Sequence, residues 1–110
     1  WGFVRLATHP MRKRCYITLG AGTDAGGKVV TASSSVSLDG VPRALEGDLV
    51  DCPHCRTTGK IACDGPRLAA SENGRRPALE DDLCLCQCAP TPRLLANQER
   101  YRQWVIDEAG

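Results

Sequence analysis

The sequence predicts a small β-rich domain built from short hairpins and held by something other than its hydrophobic core. Three observations point there: short alternating segments separated by glycine-bearing turns, a duplicated stretch that ends in cysteine, and a thin supply of large apolar side chains. The chain has 110 residues, the size of one domain. Leu, Ile, Val and Phe together number 22 and aromatics make up 5%, about the ~20% level at which a chain struggles to fill a packed core. Chains this lean usually recruit disulfides or a metal.

Along the chain, residues 1–15 read as an N-terminal leader or extension, 16–95 as the β domain and 96–110 as a C-terminal helical extension. Trp1 to Pro10 is too short and mixed for a signal-peptide core, which favours synthesis in a reducing cytoplasm. Tyr16 to Leu19 reads as a strand, Gly20 to Gly27 as a glycine-rich turn and Lys28 to Thr31 as a second strand. Ser33 to Leu38 alternates until Asp39-Gly40, a hairpin turn signal. Val41 to Asp51 is extended, with Pro42 confining it to an edge. Thr58 to Cys63 and Arg67 to Ser71 are weaker strands, and Asn73-Gly74 repeats the Asp39-Gly40 signal. Near the end, Asn97 is placed to cap a short helix over Gln98 to Ala109 with Tyr101, Trp104 and Val105 on one side.

The duplication is explicit. ALEGDLVDCPHC at 44–55 and ALEDDLCLCQC at 78–88 match at an offset of 34, through Ala44/Ala78, Leu45/Leu79, Glu46/Glu80, Asp48/Asp82, Leu49/Leu83 and Cys52/Cys86. A single hairpin buries no core of its own, but two can converge on a shared ion. Seven cysteines in Cys-x-x-Cys and Cys-x-Cys spacings suit metal ligation better than an oxidised framework. Cys52, Cys55, Cys86 and Cys88 are therefore the expected ligands of a structural Zn²⁺, with Cys84 or His54 as substitutes. Cys15 and Cys63 read as small core side chains.

Other chemistries fit less well. The formal charge of +1 encodes no long-range attraction to nucleic acid or an anionic membrane. No apolar run approaches the ~20 residues that span a bilayer. No helix is expected after Cys55, as a redox Cys-x-x-Cys would need. No pair of carboxylates stands out as acid and base, and Gly20 to Gly27 lacks the Gly-Lys-Ser/Thr ending of a phosphate loop. A non-catalytic protein is expected. A zinc-ribbon-like module that binds protein or nucleic acid is the alternative, though near-neutral charge and few aromatics weigh against nucleic acid.

Residues 16 to 95 also resemble the PAAR-repeat proteins that cap the spike of the bacterial type VI secretion machine. Thr23-Asp24 and Gly26-Gly27 match the turn of that family. Asp39-Gly40, Pro42, Ala44, Gly47-Asp48 and Cys52-Pro53 match its first repeat, and Asn73-Gly74, Ala78, Asp82 and Cys86 its second. The sequence departs where the family carries a turn histidine, here Ala25, and its usual arginine, here Leu45 and Leu79. The resemblance implies a conical fold of short β-hairpins with pseudo-threefold shape, zinc-stapled near the tip. It also implies docking, one copy per trimer, on the valine-glycine-repeat (VgrG) spike protein, carriage of a toxic effector or adaptor, and transient contact with a target-cell membrane. The protein would be a monomer by itself, made in the bacterial cytoplasm and expelled on firing.

Overall fold

The computed structural model describes residues 11–106. Its strands are β1 (Met11–Cys15), β2 (Gly22–Thr23), β3 (Lys28–Val29), β4 (Ser37–Leu38), β5 (Val41–Pro42), β6 (Leu49–Cys52), β7 (Thr57–Ala62), β8 (Leu83–Leu85), β9 (Leu94–Leu95) and β10 (Arg102–Ile106). Six of them form one antiparallel sheet in the order β8-β7-β6-β3-β2-β9. A bridge between Leu83 and Arg93 joins its two ends, so the sheet closes on itself and leaves no open edge.

Three copies of one backbone unit sit at the foot of this sheet, one more than the sequence displays. The N–H groups of Ile17, Ala44 and Ala78 donate to the carbonyls of Ala78, Ile17 and Ala44, at 3.0, 2.8 and 3.0 Å. Those bonds run head to tail around a ring. A second ring lies beside it: Leu19, Glu46 and Glu80 donate to Pro42, Arg76 and Cys15 at 3.0, 2.8 and 2.9 Å. Each unit then turns tightly, with Ala21, Asp48 and Asp82 donating to Thr18, Leu45 and Leu79. The turn needs a left-handed residue, and Gly20, Gly47 and Asp81 occupy it at φ of 91°, 87° and 71°. The third copy in space, Ile17 to Ala21, keeps only the glycine of that motif.

The ring explains why the expected strand from Tyr16 to Leu19 forms only isolated bridges. Tyr16 pairs with Leu79 while Thr18 pairs with Arg43, so successive residues face different neighbours. Small side chains let the three units approach their axis. The core consists of Ile17, Ala21, Val29, Ala44, Val50, Ile61, Ala78, Cys84 and Leu94, which is compact because alanines take three positions that a leucine would overfill. Along β6 and β7 the alternation puts Val50, Cys52, Gly59 and Ile61 inward.

Two expectations are corrected. The C-terminal helix does not form: Arg102–Ile106 is strand β10, paired with β1 from Met11↔Ile106 to Cys15↔Arg102. Its burial alternates, with Gln103 and Val105 inside and Arg102, Trp104 and Ile106 outside, a period of two that helical propensity did not outweigh. Asn97 caps nothing; its side chain accepts the Thr18 hydroxyl at 2.7 Å, while the Gln98 amide donates to Tyr16 and Tyr101 carbonyls. Residues 107–109 of the expected helix, and residues 1–10 of the expected leader, lie outside the described residues. The weak strand from Arg67 to Ser71 is also absent, because side chains occupy its backbone: the Leu68 N–H donates to the Gln103 side chain at 2.8 Å.

Candidate metal centre

From the ring, three hairpins run to one end of the closed sheet: β2–β3, β6–β7 and β8–β9. Their loops meet there, where Asp24 and Ala25 of the first, His54 of the second and Cys88 to Pro92 of the third line one groove. Cys52 is the last residue of β6, and its strand register places it opposite Thr57. The intervening Pro53-His54-Cys55-Arg56 reverses the chain, with Arg56 taking φ of 59°. A four-residue reversal of this kind returns Cys55 toward the sulfur of Cys52, which is what Cys-x-x-Cys spacing provides in metal sites. The third hairpin delivers Cys86 and Cys88 just past β8.

All four sulfurs expected from the sequence come together. Cys52, Cys55, Cys86 and Cys88 have Sγ atoms within 4.8 Å of one another, and Cys52 and Cys88 approach to 3.5 Å. None is paired in a disulfide. Four thiolates about 2.3 Å from a tetrahedral zinc would stand about 3.8 Å apart, so the cluster needs only small adjustments to fit an ion. Cys52 is buried and the other three are half-buried.

The charge balance of the quartet fits a cation as well. The Thr57 hydroxyl, 2.9 Å from the Cys55 sulfur, is the main reason that thiol is lowered to about 6, against the pull of burial. Cys88 moves the other way, raised chiefly by burial and then by its thiol neighbours. One thiol of the quartet ionises easily and another resists, chiefly because burial disfavours its charge. A divalent cation removes that penalty, and metal binding would release the remaining protons.

The two substitutes stand apart from the four. Cys84 points into the core, where burial pushes its thiol up to about 12. His54 lies beside the cluster, its Nδ1 3.5 Å from the Cys88 sulfur, but it is not among the four convergent groups. Cys15 is buried and Cys63 half-buried, and neither joins the cluster.

Two supporting residues escaped the sequence reading. Gly59 on β7 is one: a side chain there would press within 2.8 Å of the Cys84 sulfur and 2.7 Å of the Leu85 carbonyl, so its absence lets β8 lie close enough to bring Cys86 in. Thr57 is the other. Strand β7 begins one residue earlier than the expected Thr58, and that one residue puts a hydroxyl on a sulfur of the cluster. Counting hairpin register back from Cys52 would have located it.

The loop that supplies no ligand is the first. Ala25 sits where the resembling family carries histidine, and the Thr23 hydroxyl instead accepts from Ala25 and Gly27 N–H groups at 3.2 and 2.9 Å. That loop is closed by its own hydrogen bonds. Comparison with known proteins agrees with this picture at the level of the family: the model described as PAAR motif matches residues 19–90. No curated protein and no solved structure matches. With the units at Ala44 and Ala78, their turns and all four clustered cysteines falling in the matched span, this chain belongs to the PAAR-motif family.

Proposed function

We propose that this chain is the tip piece of a bacterial type VI secretion spike. The observation that carries the reading is the family match over residues 19–90. Its architecture supports the same role. A ring of three equivalent backbone units is suited to sit on the end of a trimer, since each protomer of the trimer can meet a similar surface. At the far end three short hairpins meet, and a metal held by the second and third stiffens a point that the thin core could not hold alone.

In this reading the Ile17, Ala44 and Ala78 end faces the trimeric valine-glycine-repeat spike and the cysteine end leads. The chain is made in the bacterial cytoplasm, rides out with the spike and meets the target-cell membrane briefly. Its role is mechanical rather than catalytic, and an effector or adaptor attaches to its surface. Cys52, Cys55, Cys86 and Cys88 hold a structural Zn²⁺. When bound, the ion crosslinks the second and third hairpins and stabilises folding by on the order of 10 kcal/mol.

Mixing purified chain with its cognate spike and measuring mass by light scattering tests the docking. One chain per trimer is expected, and separate elution of the two overturns the reading. Elemental analysis tests the ion: about one zinc per chain is expected, lost in Cys52→Ser and Cys86→Ser together with most of the thermal stability. A Cys52→Ser protein that retains both refutes the ligand set.

A further inference from the structure

We propose that Thr57 is a positioning residue for the metal, donating its hydroxyl hydrogen bond to the Cys55 thiolate and fixing that sulfur in the coordination sphere. The inference rests on reading the four cysteines as a metal site and adds a residue that is not a ligand.

The geometry is specific. Thr57 opens β7 and pairs in register with Cys52, so its backbone is tied to one ligand. Its Oγ1 stands 2.9 Å from the sulfur of another, Cys55. The residue therefore spans both cysteines of the Cys-x-x-Cys loop. Threonine suits the task because branching at Cβ restricts χ1 and holds the hydroxyl in one direction. Once Cys55 is a thiolate it can only accept, and the hydroxyl must be the donor.

Among the described residues, Cys55 is the only ligand with such a hydroxyl. Cys86 accepts the Cys88 N–H at 3.5 Å, and Cys52 and Cys88 face each other. A tetrathiolate site around a dication carries a net negative charge, so a donor aimed at one sulfur disperses some of it. Partners of this kind orient ligands and typically change metal affinity by 10–100-fold when lost.

The test compares the intact chain with Thr57→Val, which keeps the shape and loses the hydroxyl, and with Thr57→Ser, which keeps the hydroxyl. Apo proteins are titrated with Co²⁺, and zinc affinity is read by competition with a chromophoric chelator. Thr57→Val is expected to bind zinc about tenfold or more weakly, and Thr57→Ser within about threefold of the parent. The sulfur-to-cobalt charge-transfer band should move to lower energy in Thr57→Val only, because a thiolate without its donor gives up an electron more readily. Equal affinity and an unmoved band in Thr57→Val overturn the assignment, as does a Thr57→Ser protein no better than Thr57→Val. If Thr57→Val does not fold, the same comparison is made between Thr57→Ala and Thr57→Ser. A parent chain that takes up neither ion with its thiols reduced refutes the metal reading itself, whereas tight parental binding unaffected by Thr57→Val refutes only the role of Thr57.

Discussion

Asp48 and Asp82 occupy the same place in the second and third ring units, and each accepts the N–H three residues before it, from Leu45 at 2.7 Å and from Leu79 at 2.9 Å. Around that shared bond the two carboxylates live differently. Asp48 is surrounded by small donors: the Thr31 hydroxyl at 3.1 Å, the Ser33 N–H at 3.0 Å and the Ser33 hydroxyl. Asp82 faces two guanidiniums, Arg14 at 2.9 Å and Arg67, and the Asp64 N–H at 3.0 Å. Arg14 is itself fully buried and also donates to the carbonyls of Glu80 and Pro66. The motif thus fixes the turn, while the surroundings decide what else depends on it. In the third unit the carboxylate anchors β1 and the segment after β7 to the ring; in the second it mainly closes its own loop.

The largest expected effect comes from removing the charge at Asp82. Asp82→Asn leaves Arg14 without its carboxylate in a site from which water is excluded, and breaking one side of a buried pair typically costs about 3–5 kcal/mol. Burial already pulls Arg14 below its ordinary value and Asp82 opposes that pull, so the guanidinium has little else to rely on for charge. Asp48→Asn removes a charge that has no buried cation opposite, and the expected loss is about 1–3 kcal/mol. Urea denaturation of the metal-loaded proteins measures both. Equal losses would break the comparison and show that the turn bond, common to the two, dominates.

Acid sharpens the same contrast. Burial by itself would raise the Asp48 carboxyl, but the Leu45 N–H and the Ser33 and Thr31 donors outweigh it, and the group ends below the usual carboxylate range. A carboxyl depressed in the folded state gives stability that is present above its unfolded value, about 3.9, and lost as pH falls through the folded one. Below about pH 4 the parent chain should therefore lose stability more steeply than Asp48→Asn. Parallel curves over that range would mean that the hydroxyls serve the neutral acid as well as the anion.

Much of the cysteine cluster was legible in the sequence because it depends on local spacing. Cys52, Cys55, Cys86 and Cys88 lie in two short loops, and the repeat sets Cys86 on Cys52 and Cys88 on His54, so it says that the two loops share an end. The first ring unit, Ile17 to Ala21, was not legible. Thr18 and Ala21 replace the leucine and aspartate of the other copies, and what they share is a cycle of backbone bonds that any side chain can accompany. Strand β10 was misread for a related reason: Gln98 to Ile106 favours helix residue by residue, and only pairing with β1, far along the chain in a register that sets Met11 opposite Ile106, makes an extended form better. Arg14 stands in the basic run Arg12-Lys13-Arg14, yet it is buried, because its partner Asp82 lies in the third unit far along the chain.

The smallest effect concerns the arginines that approach the two carboxylates from outside the ring. Arg75 stands 3.3 Å from Asp48 with its side chain 36% exposed, whereas Arg67 contacts Asp82 at 9% exposed. An ion pair open to water is screened and holds a long side chain in place at an entropic cost, so Arg75→Ala should change stability by about 0–1 kcal/mol, and less at high salt. Arg67→Ala should cost clearly more and respond little to salt, since its guanidinium also donates to Pro77 and Asp64 carbonyls at 3.1 Å. Denaturation at low and high ionic strength distinguishes them. If Arg75→Ala is the more damaging, its other bond, from Nε to the Glu46 carbonyl at 2.8 Å, is the one that matters, and the second unit leans on the backbone of its own turn rather than on charge.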